Sequence, residues 1–466
     1  MTATATSAGR DDQPGELSLA HKLLYASGSL GANITFQTLA AWLIFFYAPP
    51  DDADRATLVP IGIVGLILVV SRIIEAVDDP LIGYWSDISS SRWGRRLPFI
   101  VAGTPLLAVT FFLLWTPPVD GASAWNALYL FVILEAFFIF NTVVGGPYDA
   151  LLPEVATTSG DRVSLSAWKV LFGAIGAGIV FLLGGPLIAA LGFAGMGLAF
   201  AAITFASRLL PVFGVRGHVQ RAVPSVPPGF RRAVRETLAN DQFLAFLPAF
   251  VLFTAAQVML TQWLPFYVDV TLRDTDIDLL AVTLDETEEK VTLLTGLFFL
   301  PLLGSVPLMS WLASRTSKRA VYGGSMLLSG LYFPLLFLFG FLPGIPKFPQ
   351  TLFLLGLGIP LAALFVFPHA LLADIIDYDE QRTGARREAV YYGMQATLQK
   401  VGLGLAAALF AFVLAVFGRS AEDPLGIRLI GPVAAVCTLA GYIVFARGYR
   451  LTDEGVLPDP ASAGEE

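Results

Sequence analysis

The stretch "SRIIEAVDDPLIGYWSD", Ser71 to Asp87, places Arg72, Glu75, Asp78 and Asp79 within eight positions of one long, mostly apolar segment. It follows "IGIVGLILVV", ten residues without a polar side chain. A charged side chain at the centre of a bilayer costs roughly 2.5–3.5 kcal/mol on insertion scales, and intramembrane ionisable groups mark function by default. At 100° per residue, Arg72, Glu75 and Asp79 fall within an arc of about 60° on one helical face, and Asp78 lies off that face. The stripe cannot face lipid cheaply, so it is expected to face the protein interior. Two carboxylates and one cation leave a net negative charge. A proton neutralises it, and so does sodium, a hard cation that prefers oxygen ligands. Glu75 and Asp79 are therefore the expected site of a monovalent cation, with sodium and proton both open. A purely structural Arg72–Glu75 pair with a capping Asp79 is the alternative.

The elements that position this stripe follow from composition. The chain has 466 residues, 55% hydrophobic and only 14% charged, with 36 Phe. Soluble domains carry about 25% charged residues, so too few charges are present to wet a soluble surface of this size. A crossing helix needs about 20 largely apolar residues, and twelve such segments occur, near 21–47, 57–84, 98–117, 124–147, 164–192, 194–214, 242–272, 291–313, 320–342, 350–373, 389–417 and 427–446. The expected fold is an all-α polytopic membrane protein. Nineteen basic residues sit in the tails and one alternating set of connections, among them Arg92, Arg95, Arg96, Arg162, Arg315 and Arg387, against six in the other set. The richer set is expected to be cytoplasmic, with both termini inside the cell.

The basic stretch 215–241 splits the segments six and six. The expected organisation is a disordered cytoplasmic tail over 1–20, a six-helix bundle over 21–214, a cytoplasmic linker over 215–241, a second bundle over 242–446 and a cytoplasmic tail over 447–466. The linker's charges are read as contacts to anionic lipid headgroups rather than to nucleic acid. The acidic 273–290 connection is read as a solvated loop, and the tail beyond Leu451 as disordered. Internal similarity supports duplication: "WSDISSSRWGRRLPFIVAG" follows the second segment and "WLASRTSKRAVYGG" the eighth, while "PYDALLPEV" follows the fourth and "PHALLADII" the tenth. Paired bundles that meet at a midplane cavity are the architecture of alternating-access carriers.

Other chemistries find little support. One cysteine, Cys437, excludes a disulfide framework or a cysteine metal centre, and His21, His218 and His369 are too scattered for a histidine cluster. No nucleophile–base pair and no phosphate loop stands in the apolar segments, so an enzyme is not expected. Neither is a cofactor beyond the coupling ion. The first 17 residues lack an apolar core, so the first span rather than a signal peptide is expected to direct insertion.

Gly83, Asp87 and the following Arg92, Arg95 and Arg96 resemble the loop signature of the major facilitator superfamily. "RIIEAVDDPLIGYWSD…SRWGRRLPFI", "PYDALLPE…DRVSLSAWK" and "ADIIDYDEQRTGARREAVYYGMQATLQKVG" together resemble the glycoside–pentoside–hexuronide:cation symporters of the melibiose permease type. The resemblance implies two six-helix bundles around a central cavity in the cell membrane, acting as a monomer on a small solute such as a sugar or glycoside. It implies cation sites at Glu75 and Asp79 beside Arg72, and polar cavity positions at Lys169, Gln395 and Lys400. Family sugar-binding acids correspond here to Asn33, which can still bond hydroxyls, and to Gly145, which offers only space. Glu135 is a substitute anchor or a carboxylate paired with a neighbouring helix. Lys169 and Lys400 would meet an anionic group of the substrate or the cation site, or, for Lys169, snorkel to headgroups. Asp87, Arg92, Arg95 and Arg96 are expected to form a conformational latch, and Asp374, Asp377, Arg386 and Arg387 gate ion pairs at the cytoplasmic mouth. A lysolipid or other amphiphile, which the loss of both sugar acids would suit, or proton-driven export, are the alternatives.

Overall fold

A computed structural model describes residues 17–89, 91, 93–156, 158–215, 235–279, 282–384, 387–453 and 456. Among these, nine helical stretches are long and apolar enough to cross a membrane. Three further considerations complete the count. The helix Ile61–Ile88 has the length but carries the charged stripe, and Leu97–Leu113 is apolar but shorter. The stretch Ser159–Val215 is two crossings, because Gly192 (φ 69°, ψ 177°) breaks it. Near one end Asp161 pairs with Lys22, and near the other Gly214 packs on Leu24, so both ends reach the same face, while Phe193 beside the break stacks on Trp115. A left-handed φ of this size suits glycine, which has no Cβ to clash.

The chain thus makes twelve passages, numbered here in order. The first is Leu19–Ala26 with Gly28–Tyr47, the second Ile61–Ile88, the third Leu97–Leu113 and the fourth Ala124–Ala150. The fifth and sixth lie either side of Gly192, and the seventh is Asp241–Leu272. Thr287–Gly304 with Val306–Arg315 forms the eighth, and Lys318–Tyr332, continued by a 3-10 turn, forms the ninth. The tenth is assembled from five short helical pieces between Lys347 and Thr383. Glu388–Phe417 and Leu425–Gly448 complete the set. The architecture is an all-α membrane protein of two six-helix groups around an internal cavity.

Two close contacts join the groups. The second span meets the eleventh where Gly65 faces Ala411, and a methyl built on Gly65 would stand 2.7 Å from the alanine Cβ. The fifth meets the eighth at Gly185, whose N–H donates to Thr292 Oγ1 at 3.1 Å. A Cβ there would lie 1.9 Å from the Glu288 carbonyl oxygen.

Three expectations are corrected. Residues 273–290 are not simply a solvated loop: Ile277–Leu279 and Val282–Leu284 pair antiparallel, and Glu288 and Lys290 are buried. The second tail is ordered past its expected start at 447, with Tyr449 and Leu451 buried and the Asp453 carboxylate accepting the Lys318 N–H at 2.9 Å. The first tail is ordered from Leu17, whose N–H donates to Asp161 Oδ2 at 3.4 Å. Most of the 215–241 linker lies outside the described residues.

Gly185→Val is expected to wedge the fifth and eighth spans apart and lower the thermal unfolding midpoint by several degrees. Gly62→Val, where a Cβ meets nothing within 4 Å, is expected to leave it within a degree or two. Both are read by thermal unfolding of the purified protein in detergent.

Candidate functional site

Glu75 sits on the second span with 1% of its surface exposed. Its Oε2 accepts from Arg72 Nη1 at 2.6 Å, one turn back on the same helix. The Arg72 guanidinium lies 4.3 Å above the Phe138 ring of the fourth span, and Gly404 of the eleventh leaves room for its stem, since a Cβ there would come 2.8 Å from Arg72 Cγ. Lys400 reaches across from the eleventh span. Its Nζ is 2.9 Å from Glu75 Oε1 and 2.5 Å from Asp79 Oδ2. Thr142 of the fourth span donates to Asp79 Oδ1 at 2.8 Å. Two carboxylates and two cations, brought from both halves, thus form one neutral cluster.

The cluster borders a cavity of about 230 Å³ lined by Thr35, Arg72, Glu75, Asn141, Gln399 and Lys400, with Phe36, Phe137 and Phe138 among its apolar walls. Sequence reading brought Arg72, Glu75, Asp79 and Lys400 together, and the structure places them in mutual contact. It missed Thr142, Asn141 and Gln399; their signal was one of placement, polar side chains inside apolar spans.

The remaining positions lie elsewhere. Asn33 is not in this lining: its Nδ2 donates to the Ser29 carbonyl at 3.1 Å, and the amide packs over Gly173. Gln395 is buried one turn before Gln399 and is likewise not in the lining. Glu135 neither lines this cavity nor has a basic partner within 4 Å; its two carboxylate oxygens are buried without a hydrogen-bond partner, as are those of Asp78. Lys169 is held away, bonded to Asp149 Oδ1 at 2.7 Å over the Tyr148 ring.

The two faces of the molecule differ in how their ion pairs run. On the face bearing the described chain ends, pairs stay within one half. Arg95 and Arg96 both contact Glu154, Arg95 through Nε at 3.0 Å and Arg96 at 3.2 Å. Asp374 pairs with Lys318 at 2.5 Å, and Arg387 with Asp379 and Glu236 at 2.8 and 2.5 Å. Asp377 is half-buried on the Asp374 helix. Arg92, Arg386 and the side chain of Asp87 lie outside the described residues. No pair within this set joins the halves, so the described members of the expected latch and gate are disengaged from one another across the cleft.

On the opposite face, pairs bridge the halves. Arg419 donates to Asp51 Oδ1 at 2.6 Å, Arg273 Nη1 donates to the Asp52 carbonyl at 2.5 Å, and Asp52 Oδ2 accepts the Ala421 N–H at 2.9 Å. Arg55 pairs with the buried Glu288. Sequence reading missed this bolt, because residues some 220 to 370 positions apart show no spacing.

A fold of twelve passages around buried, mutually neutralising charges is that of a membrane transporter. The chain belongs to the family described as MFS/sugar transport protein, whose profile matches residues 24–452. It is similar to an uncharacterized symporter of Synechocystis sp., 26% identical over 484 residues and covering 86% of each chain. It is also similar to the isoprimeverose transporter of Lactiplantibacillus pentosus, 22% identical with 85% of this chain and 80% of that one covered. The crystal structure of the nucleoside transporter NupG shares the fold, with a TM-score of 0.65 at 14% identity over 92% of this chain and 98% of that one.

Replacing Arg55 and Arg419 together by Ala is expected to loosen the bolted face. Maleimide labelling of Leu264→Cys, in a Cys437→Ser background, would rise several-fold, whereas Lys318→Ala, confined to one half, would leave the labelling rate unchanged.

Proposed function

We propose that the protein is a cation-coupled symporter that moves a sugar, glycoside or related small solute by alternating access, driven by sodium or protons. The observation that carries this reading is Lys400 Nζ lying between Glu75 and Asp79. A buried carboxylate pair without a counter-charge is costly, and removing one partner of a buried ion pair costs about 3–5 kcal/mol. The lysine ammonium therefore stands where a coupling ion would stand.

With the chain ends cytoplasmic, as the basic-residue count has it, the bolted face is external and the structure is inward-facing. In this conformation the solute and cation have left and Lys400 has closed on the carboxylates. In the outward-facing state a cation displaces Lys400, freeing its ammonium toward the cavity and completing the solute site lined by Thr35, Asn141 and Gln399. A carrier holding a cation without solute has an unfinished cavity. One holding neither is neutralised by Lys400 and can return. Each elementary charge carried across adds about 2.3 kcal/mol per 100 mV. The kinship to an isoprimeverose transporter supports a carbohydrate as the solute.

A second reading, an amphiphile such as a lysolipid, is favoured by a second cavity of about 90 Å³. Its walls, including Trp42, Phe181, Phe298 and Phe299, come from both halves and are mostly apolar.

The test is uptake into proteoliposomes under an imposed sodium or proton gradient, across pentoses, hexoses, glycosides, uronates and lysolipids. Accumulation is expected with one gradient and is expected to fall at least tenfold in Glu75→Gln and Asp79→Asn. Uphill accumulation that survives both substitutions together would overturn the reading. Lys400→Met is expected to lower the unfolding midpoint at neutral pH, and the coupling ion, added as sodium or as protons by acidification, is expected to restore it.

A further inference from the structure

Arg208 lies in the sixth span, inside the apolar run "TFASRLLPVFG", with 3% of its surface exposed. Among the described residues, the other buried cations are all satisfied. Arg96 has Glu154, Arg419 has Asp51, and Lys290 donates to the carbonyls of Leu272 and Arg273 at 3.1 Å each. Arg208 has no carboxylate within 4 Å. Its contacts are one long hydrogen bond from Nη2 to Asn141 Oδ1, at 3.4 Å, and the Tyr148 ring 5.8 Å away. Its Nε is buried with no acceptor. A guanidinium offers five N–H donors in a fixed fork and cannot shed its charge. Burying one in a membrane span without a counter-ion costs several kcal/mol. The two unpaired carboxyls of the region, Asp78 and Glu135, also lie beyond ion-pair distance of it.

The place of this cation gives it a use. Asn141, its acceptor, lines the cavity beside Arg72, Glu75 and Lys400, and the next residue, Thr142, holds Asp79. Arg208 therefore stands one amide side chain away from the cavity. The charges of the cluster itself cancel, and the nearby Asp149 is taken by Lys169. A turn of the Asn141 side chain would present the guanidinium fork to whatever fills the cavity. Its natural complement is a planar or tetrahedral oxyanion, bound through two N–H donors.

We propose that Arg208 is an anion-binding residue and that the transported solute carries a carboxylate or a phosphate that docks on it. This rests on the transporter reading given above and narrows its substrate class. Solutes that bring no negative group leave the buried guanidinium unpaired and bind poorly. The preference for an anion is then set by the sixth span, apart from the cation cluster on the second.

The experiment uses the full-length protein in nanodiscs, with thermal unfolding and equilibrium binding as readouts. The probes are glucuronate for a sugar carboxylate, glucose 6-phosphate for a sugar phosphate, a lysophospholipid for a headgroup phosphate, and glucose as the neutral control. At least one anion is expected to raise the unfolding midpoint by several degrees while glucose does not, and Arg208→Gln is expected to weaken that anion at least tenfold. Asn141→Asp provides the second arm, and it stands even where Arg208→Gln fails to fold. It supplies a carboxylate to the guanidinium, so it should raise the midpoint of the ligand-free protein and abolish the anion effect. The proposal is overturned if Asn141→Asp leaves anion binding intact, if glucose binds wild type and Arg208→Gln alike, or if no anion in the panel binds. Gradient dependence of uptake tests the symport reading separately. Neutral-solute symport indifferent to Arg208 would sink only the anion site, and anion binding without gradient-driven uptake would sink only the symport.

Discussion

The ammonium of Lys400, held between Glu75 and Asp79, is the interaction on which the rest of the structure depends. It crosses from the eleventh span to the second, so it ties the halves together at their centre rather than at a rim. It also makes the charged stripe tolerable in a dry setting: four ionised groups that would each be expensive alone become one neutral cluster. The small residues around it serve that end. Gly404 gives room to the Arg72 stem, and Gly65 lets the two helices approach closely enough for a lysine to span the gap.

The contrast between the two faces gives the cluster its direction. The ion pairs beyond one end of the cavity bridge the halves, and those beyond the other end are confined to one half or the other. The same number of charges could have been spread evenly. Their asymmetry means that a movement breaking the Arg419–Asp51 and Arg55–Glu288 bridges meets no matching bridge, among the described residues, on the other side. Exposed ion pairs are individually weak, but here three partners, Asp51, Asp52 and Arg55, come from one short connection and act as a set. Glu288 is buried, so its bridge holds more firmly than a surface pair would.

Much of this was readable from residue order. The twelve passages follow from hydropathy, with the hardest division, at Gly192, marked by a glycine in "ALGFAG". The stripe of Arg72, Glu75 and Asp79 follows from helical spacing, because neighbours on a helix face are neighbours in sequence. Lys400 was reached by family resemblance alone, since nothing in spacing ties position 400 to position 75. Asn33 and Gln395 failed to join the cavity lining for a local reason. Asn33 spends its amide on its own helix, bonding the Ser29 carbonyl one turn back. Gln395 is a turn short of the level that Gln399 reaches. The bolted face and Arg208 were invisible for the opposite reason, since both depend on which distant segments fold together.

The tenth span differs in build from its counterpart in the first half. The fourth runs as one helix, Ala124–Ala150, with its single proline, Pro147, near the end. The tenth is interrupted at Leu352–Leu357 by a 3-10 segment and again around Ala362 and Phe367, with Pro360 and Pro368 nearby. Each break removes or weakens i to i−4 hydrogen bonds and leaves a joint of low bending stiffness. The two halves are thus mechanically unequal. One rocks as a stiff lever, while the other can flex within its own wall, so the volume enclosed between them can adapt to solutes of different length without a change in the pivot.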